Sequence, residues 1–316
     1  MGEFEFIERI KRQFRCPDGV VGIGDDCAVI PMDSARDSLV SCDMLMEGVH
    51  FLRDDISPYQ LGWKSAAVNI SDVAAMGGRP EGTFLSIALP SDIDDKWKDE
   101  FVRGYKALSS KFSCPLLGGD TSASLSGICI NVTVLGSCAH AAAKRRDMAQ
   151  EGDAIYVSNY LGDSASGLQA ILKRRQGYAL NDEYKALIDK HYLPEPRVEL
   201  SSILALRDDV HAMMDISDGV ASDLRHILAS SSVGAEVEIS SLPCSELCIQ
   251  FCAEYGFDPV EMALCGGEDY ELLLTASASF DPAGLPLTRI GTIVSGSKID
   301  WVGSSKDFQG YRHLGI

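Results

Sequence analysis

The sequence is short of positive charge. Its 316 residues include 28 Lys and Arg against 46 Asp and Glu, which gives a formal net charge of 28 − 46 = −18. Nucleic acids and anionic membranes are held mainly by clustered Lys and Arg. We therefore expect a protein that binds neither nucleic acid nor membrane. An anionic substrate would need metal ions to bring positive charge to its site.

Membrane and secretion signals are also missing from the sequence. No apolar run reaches the ~18 residues that span a bilayer, and the first residues form no signal-peptide pattern. Ten cysteines in a large chain without a secretion signal indicate reduced thiols, and we expect a cytoplasmic location. Cys244, Cys248 and Cys252 recur every four residues. A buried stripe on one helix face is favoured there over a metal site.

The common nucleotide-binding motifs are absent as well. There is no Gly-x-x-x-x-Gly-Lys-[Ser/Thr] loop, no His-Arg-Asp set and no Gly-x-Gly-x-x-Gly. These absences exclude a P-loop kinase, a protein kinase and a dinucleotide-binding fold of the usual kind. A nucleotide would have to be held by metal ions and backbone groups, with few cations from the protein.

What the sequence has in abundance is carboxylates beside small residues. They recur in six segments, at 22–26, 41–43, 69–72, 118–121, 215–219 and 266–269. Hard cations such as Mg²⁺ prefer oxygen ligands, and glycine lets a backbone approach a phosphate closely. The pattern predicts a phosphoryl-transfer enzyme in which several Mg²⁺ ions hold a polyphosphate.

Each segment taken alone has a simpler interpretation. Asp25 and Asp26 fit an ordinary turn, where Gly and Asp supply unusual backbone angles. Asp218 fits the N-cap of a helix, although that leaves Asp215 unexplained. Arg146 lies in a basic run that fits a solvated linker, yet it is also the best cationic candidate for a phosphate contact.

Hydrophobic periodicity predicts a two-domain α+β fold. In the N-terminal half, the order β-β-α-β-α-β-β, with helices at 59–76 and 92–112, predicts a mixed sheet with helices on one side. The C-terminal half is expected to form an α/β sandwich domain. The stretch 139–152 is rich in small and charged residues, so we place the domains at 1–142 and 143–316.

Shorter patterns predict single elements. An amphipathic helix is expected over 3–15. A short buried strand is expected at 114–117, directly before the glycine pair at 118–119. Asp218 is expected to open an amphipathic helix as its N-cap.

Together the acidic segments resemble the thiamine-monophosphate kinase family, which belongs to the superfamily of aminoimidazole ribonucleotide synthetase. The resemblance is carried by residues 22–28, 48–51, 67–77, 117–121, 215–219 and 266–272. It implies phosphorylation of thiamine monophosphate to thiamine diphosphate with ATP and Mg²⁺. It also implies a homodimer in which the N-terminal sheets of two subunits form a shared barrel.

The resemblance also implies roles for individual residues. The implied metal ligands are Asp26, Ser41, Cys42, Asp43, Asp72, Asp120, Asp215 and Asp218. The implied ATP contacts are Tyr105, Gly119, Asp120, Arg146 and Ser217, and the implied substrate contacts are His50, Glu268 and Tyr311. Cys42 stands where the family commonly has Thr, and a thiol is a poor Mg²⁺ ligand. Any ligation by Cys42 must therefore come from its backbone carbonyl.

Two other functions compete with this interpretation. The first is another ATP-using enzyme of the same superfamily, and the second is a non-catalytic module that binds Mg²⁺ and nucleotide. The acceptor phosphate, with a second pKa near ~6, is largely deprotonated at neutral pH, so phosphoryl transfer needs no general base. That fits a chain with no evident pair of histidine and acid, and it favours a binding role for His50.

Overall fold

Two mixed β-sheets, one in each half of the chain, form the framework of the protein. The structure is a computed structural model that describes residues 17–311, together with Glu5, Ile7, Glu8, Lys11 and Arg12. The helix predicted over 3–15 lies largely outside these residues. The two-domain architecture of mixed sheets and helices expected from the sequence is confirmed. The limits 1–142 and 143–316 stay a prediction.

The N-terminal sheet has five strands in the order β1-β2-β5-β3-β4. These are β1 (Ala28–Pro31), β2 (Arg36–Met46), β3 (Arg79–Leu89), β4 (Leu116–Ala123) and β5 (Cys129–Ala139). All neighbours are antiparallel except β3 and β4, which are parallel. Strand β4 therefore forms one edge of the sheet.

Two helices, α1 (Pro58–Ala75) and α2 (Asp95–Lys111), cover one face of this sheet. Helix α1 begins with a capping box, in which Ser57 and Gln60 satisfy each other's backbone amides. Helix α2 begins at Asp94, whose side chain accepts from the Trp97 amide. The predicted placement of the helices on one side is confirmed.

The other face of the N-terminal sheet carries exposed apolar side chains. Met44, Met46, Phe84 and Leu117 are each 40 % exposed or more. Scattered exposed apolar residues are normal, but a group on one sheet face marks an interaction surface.

The C-terminal sheet has six strands in the order β11-β8-β10-β6-β9-β7, and only β11 and β8 run parallel. Its strands are β6 (Ala154–Ser158), β7 (Val210–Asp215), β8 (Gly234–Glu238), β9 (Leu272–Ala276), β10 (Leu287–Val294) and β11 (Ile299–Val302). The helices of this half are α3 (Asp163–Arg175), α4 (Lys185–Tyr192), α5 (Val198–Ala205), α6 (Val220–Ser231), α7 (Glu246–Tyr255) and α8 (Pro259–Cys265).

The C-terminal sheet is buried on both faces. Leu224 of α6 and Leu264 of α8 pack with Ile155 and Val157 of β6. Leu204 of α5 packs with Tyr156 on the opposite face. This layering is the sandwich expected for the second half. Among the described helices, none combines the length and apolarity that a bilayer crossing requires.

Helix α1 lies between the two sheets and is buried on nearly every side. It contacts β2 and β5 of the first sheet and also β7 and α5 of the second half. Its polar residues Lys64, Ser65, Asn69 and Ser71 are all fully or almost fully buried. Buried polar groups require partners, and these partners organise the site described below.

Two local predictions were wrong. The strand predicted at 114–117 instead runs from Leu116 to Ala123, is exposed, and contains Gly119 and Asp120 rather than ending before them. Gly119 adopts a φ of +155°, and a Cβ there would lie 1.8 Å from the Leu85 carbonyl oxygen, so the backbones are too close for a side chain. Helix α6 has Gly219, not Asp218, as its N-cap, with no side-chain cap.

Candidate active site

A cleft of about 850 Å³ lies where α1 meets the second half of the chain, and it gathers most of the acidic segments. The predicted site residues that line it are Asp26, Ser41, Asp43, His50, Asp72, Arg146, Asp215, Ser217, Asp218, Glu268 and Tyr311. They come from positions far apart in the sequence and meet only because α1 packs against both sheets. The individual roles of these residues stay predictions.

Three carboxylates meet at the centre of the cleft. Asp26 precedes β1, Asp72 lies on α1 and Asp215 ends β7, and one oxygen from each lies within 4.8 Å of the others. These three residues would hold a hard cation, which prefers oxygen ligands. The donor set of carboxylates with nearby serine hydroxyls fits Mg²⁺ or a similar hard ion.

The charges of this cluster oppose one another without a cation. Burial raises the pKa of Asp72 well above its usual value, and Asp43 and Asp215 raise it further. Burial, followed by the charge of Asp26, also raises the pKa of Asp215. A bound divalent cation would remove this repulsion and return the carboxylates to their ionised form.

Polar side chains of α1 and β2 fix the orientation of the carboxylates. Ser41 Oγ donates to Asp72 Oδ2 at 2.5 Å, and Ser71 Oγ donates to Asp215 Oδ2. The Asn69 side-chain oxygen accepts from the Asp43 amide at 3.0 Å. The buried polar face of α1 therefore supports the cluster directly.

The guanidinium group of Arg146 faces the cluster. Its Nη2 lies 2.7 Å from Asp26 Oδ1 and its Nε 3.2 Å from Asp26 Oδ2. Its backbone amide donates to Asp25. Burial, followed by the charge of Asp26, raises the pKa of Asp25 to about 7. The Arg146 guanidinium therefore neutralises part of the negative charge of Asp25 and Asp26.

A second polar group lies around Glu268, at the wall of the cleft. Lys64 Nζ lies 2.9 Å from Glu268 Oε2, and His191 Nδ1 lies 3.3 Å from the same oxygen. Burial acts to raise the pKa of Glu268, but the charge of Lys64 outweighs it and the pKa lies below its usual value. Glu268 is therefore an ionised carboxylate at neutral pH.

The tautomer of His50 follows from its backbone contact. The Met46 amide donates to His50 Nδ1 at 2.9 Å, so Nδ1 is an acceptor and the proton of the neutral ring is on Nε2. His50 therefore offers a hydrogen-bond donor at Nε2. The same contact fits a binding role better than proton abstraction.

The structure places four predicted residues outside this cleft. Cys42 lies on the outer face of the N-terminal sheet, where its Sγ accepts from Asn131. Asp120, on the edge strand β4, lies opposite Ser86 of β3 and on that same outer face. Gly119 comes directly before Asp120 on β4. These positions do not bring the Cys42 thiol or the Asp120 carboxylate to the cluster within one subunit.

Tyr105, the fourth residue, lines a different pocket. Its hydroxyl donates to Thr83 Oγ1 at 2.8 Å. The pocket measures about 430 Å³, is predominantly apolar, and lies between α2 and the start of β4.

Sequence reasoning missed several residues that shape the site. Lys64 was overlooked, although a lysine within an apolar helix pattern is a signal for a buried ion pair. His191 and Ser71 carry no such local signal, because their partners Glu268 and Asp215 are far away in the sequence.

The chain is similar to known proteins over nearly its whole length. Residues 24–138 match the family model of the AIR synthase related protein, N-terminal domain, and residues 150–302 match that of the C-terminal domain. The thiamine-monophosphate kinase of Aquifex aeolicus is 36 % identical, over 99 % of this chain and 98 % of its own length. That of Haemophilus influenzae is 38 % identical over 93 % and 89 %.

A solved structure described as AaThiL complexed with AMPPCP and TMP superposes with a TM-score of 0.90. It is 35 % identical and covers 99 % of this chain and 97 % of its own. Sequence and fold therefore agree over nearly the whole length. The chain belongs to the thiamine-monophosphate kinase family.

Proposed function

We propose that the protein transfers the γ-phosphate of ATP to thiamine monophosphate, which gives thiamine diphosphate and ADP, with Mg²⁺ ions held by the aspartates of the cleft. The observation that carries this proposal is the convergence of Asp26, Asp72 and Asp215 within 4.8 Å. Family membership supports the choice of this reaction over the other ATP-using reactions of the superfamily.

The electrostatics of the cleft explain why metal ions are needed. ATP and thiamine monophosphate are both anions, and the cleft itself is lined by aspartates. When bound, Mg²⁺ would supply positive charge that offsets this repulsion and the charge of the transferring phosphoryl group. Asp26, Asp72 and Asp215 would hold it, with Ser41 and Asp43 on the adjacent strand β2.

The acceptor end of the cleft suits a cationic heterocycle. Glu268 supplies an ionised carboxylate, His50 supplies an N–H donor, and Tyr311 supplies an aromatic ring. The acceptor phosphate is already largely deprotonated near neutral pH, since its second pKa is about 6. The protein therefore needs to align the two substrates, and no general base is required.

We further propose that the apolar pocket beside Tyr105 takes the adenine ring. Strand β4 begins at this pocket with Leu116 and continues to Gly119 and Asp120. A nucleotide lying along β4 would place its base in an apolar environment and its phosphates beside the glycine backbone. This arrangement supports the roles predicted for Tyr105, Gly119 and Asp120.

The outer face of the N-terminal sheet is our proposed dimer interface. Its exposed Met44, Met46, Phe84 and Leu117 form an apolar surface suited to a second copy of the same sheet. Asp120 and Cys42 lie on this face, so dimerisation would bring them to the interface. The cytoplasmic location stays a prediction.

One assay tests the activity. The protein is incubated with Mg²⁺-ATP and thiamine monophosphate, and ADP and thiamine diphosphate are quantified by chromatography. Equal amounts of both products are expected, with none from Asp72→Asn and normal amounts from Asp99→Asn, an exposed aspartate on α2. Loss of ATP without thiamine diphosphate would indicate another superfamily reaction. Tight ATP binding without turnover would indicate a binding module.

A further inference from the structure

Lys64 carries its ammonium group in the interior of the protein. The residue is fully buried on α1, and its Nζ lies 2.9 Å from Glu268 Oε2. A buried ion pair is seldom more stable than an apolar pair of the same size, because both charges lose their hydration. Stability alone therefore does not account for a lysine at this position.

The backbone of Glu268 is also held in an unfavourable conformation. Its φ is +65°, in the left-handed region that non-glycine residues rarely adopt. Its amide donates to the Ser217 carbonyl at 2.7 Å, and a Cβ on the preceding Gly267 would lie 2.3 Å from that same carbonyl oxygen. The 266–268 segment is thus packed closely onto the 217–218 connection that borders the cleft. Strain of this kind concentrates at functional positions.

The contacts to the Glu268 carboxylate leave one of its oxygens for a ligand. Within the described part of the chain, Lys64 and His191 both contact Oε2. His191 Nδ1 is also 3.1 Å from Ser164 Oγ. Burial, followed by the charge of Lys64, lowers the pKa of His191 to about 3, so this ring is neutral and Lys64 supplies the positive charge. Oε1 can accept a hydrogen bond from a molecule in the cleft.

We propose that Lys64 is a positioning residue for the acceptor substrate: with His191, it holds the Glu268 carboxylate so that Oε1 accepts from an amino group of the acceptor heterocycle. The inference rests on the proposed function, because it assigns Glu268 to the acceptor rather than to the nucleotide. A purely structural role is the alternative, since the same ion pair joins α1 to the second half of the chain.

Kinetics of single variants separate these roles. Losing a charged hydrogen bond costs about tenfold or more in binding. Lys64→Met is therefore expected to raise KM for thiamine monophosphate at least about tenfold, while KM for ATP and kcat change less than about threefold. Lys96→Met, an exposed lysine on α2, is the matched control and should behave as the wild type. An unchanged KM for thiamine monophosphate in folded Lys64→Met would overturn the proposal.

A double variant shows whether Lys64 acts through Glu268. If it does, Lys64→Met with Glu268→Gln should bind thiamine monophosphate as weakly as Glu268→Gln alone, within about threefold. A further tenfold loss in the double variant would overturn the proposal. This comparison does not require the single variant Lys64→Met to fold. The double variant contains neither the Lys64 charge nor the Glu268 charge.

Calorimetric binding of thiamine monophosphate keeps the two proposals apart. It needs no turnover, so a wild type that binds thiamine monophosphate but forms no thiamine diphosphate would overturn the proposed function. In that case, weakened binding in Lys64→Met would still support the role of Lys64. A wild type that does not bind thiamine monophosphate at all would overturn both.

Discussion

Ser71 donates a hydrogen bond from Oγ to Asp215 Oδ2, and 144 positions of sequence separate the two residues. Ser71 is on α1, which packs on the N-terminal sheet, and Asp215 ends β7 of the C-terminal sheet. Both residues are buried. This bond ties a carboxylate of the proposed metal cluster to the helix that separates the two sheets.

Replacing Ser71 should therefore weaken metal binding. Ser71→Ala leaves Asp215 without its hydroxyl donor. An unsatisfied buried acceptor costs about 1–3 kcal/mol of free energy. We expect the Mg²⁺ concentration for half-maximal activity to rise about tenfold. Ser202→Ala, an exposed serine that bonds only within α5, is the control. An unchanged Mg²⁺ titration would contradict the link between Ser71 and the cluster.

Asp43→Asn and Asp120→Asn should each reduce turnover by about 100-fold or more while the fold stays intact. Asp43 lines the cleft, so its loss is expected to remove a ligand. Asp120 is the sharper test, because an exposed aspartate on an edge strand would otherwise be silent. Circular dichroism checks the fold, and assays at limiting Mg²⁺ measure the effect. Near-normal rates in either variant would refute that metal assignment.

Much of the carboxylate cluster could be predicted from the sequence, because each aspartate lies in a segment that also carries glycine, serine or asparagine; its role in metal binding stays a prediction. Asp26, Asp72 and Asp215 meet as expected. Helices α1 and α2 were also predicted nearly to their ends, since their apolar residues repeat with helical period over many turns.

The remaining features depend on partners that are distant in the sequence. The pairing of Lys64 with Glu268 spans 204 positions, and no local pattern reveals it. Strand β4 was predicted too short because its residues are exposed, and periodicity detects strands by their buried faces. The short strands β8 and β11 were not predicted from the sequence.

Removing the Arg146 charge should make the protein depend on metal for its stability. Arg146→Met leaves Asp26 without its ion-pair partner, and breaking a buried pair costs about 3 kcal/mol. We expect Arg146→Met to unfold at a lower temperature than the wild type in EDTA. Added Mg²⁺ should recover most of that difference. Arg103→Met, whose ion pair on α2 is exposed, should show neither effect. If Mg²⁺ does not restore the stability of Arg146→Met, a bound cation does not replace the charge of Arg146 beside Asp26.

The raised pKa values of the aspartates in the cleft predict how pH affects the stability of the metal-free protein. Burial and the charge of Asp26 raise the pKa of Asp25 from 3.8 to about 7 in the folded state. Between these values the folded state keeps a proton that the unfolded state has lost, so stability falls as pH rises from about 4 to about 7. The pKa of Asp215 is raised in the same direction. Unfolding by urea in EDTA, measured across this range, should show that decline.

Magnesium should reverse this trend, because it binds the ionised carboxylates. Its stabilising effect should therefore grow as pH rises through about 7, where fewer protons must be displaced. Asp25→Asn removes one of the titrating groups, so its stability should depend less on pH than that of the wild type, whereas Asp99→Asn should match the wild type. If the stability of wild type and of Asp25→Asn changes equally with pH, the titration of Asp25 does not cause the decline. The same experiment with Asp215→Asn removes the other titrating group, so the two variants together separate the contributions of Asp25 and Asp215.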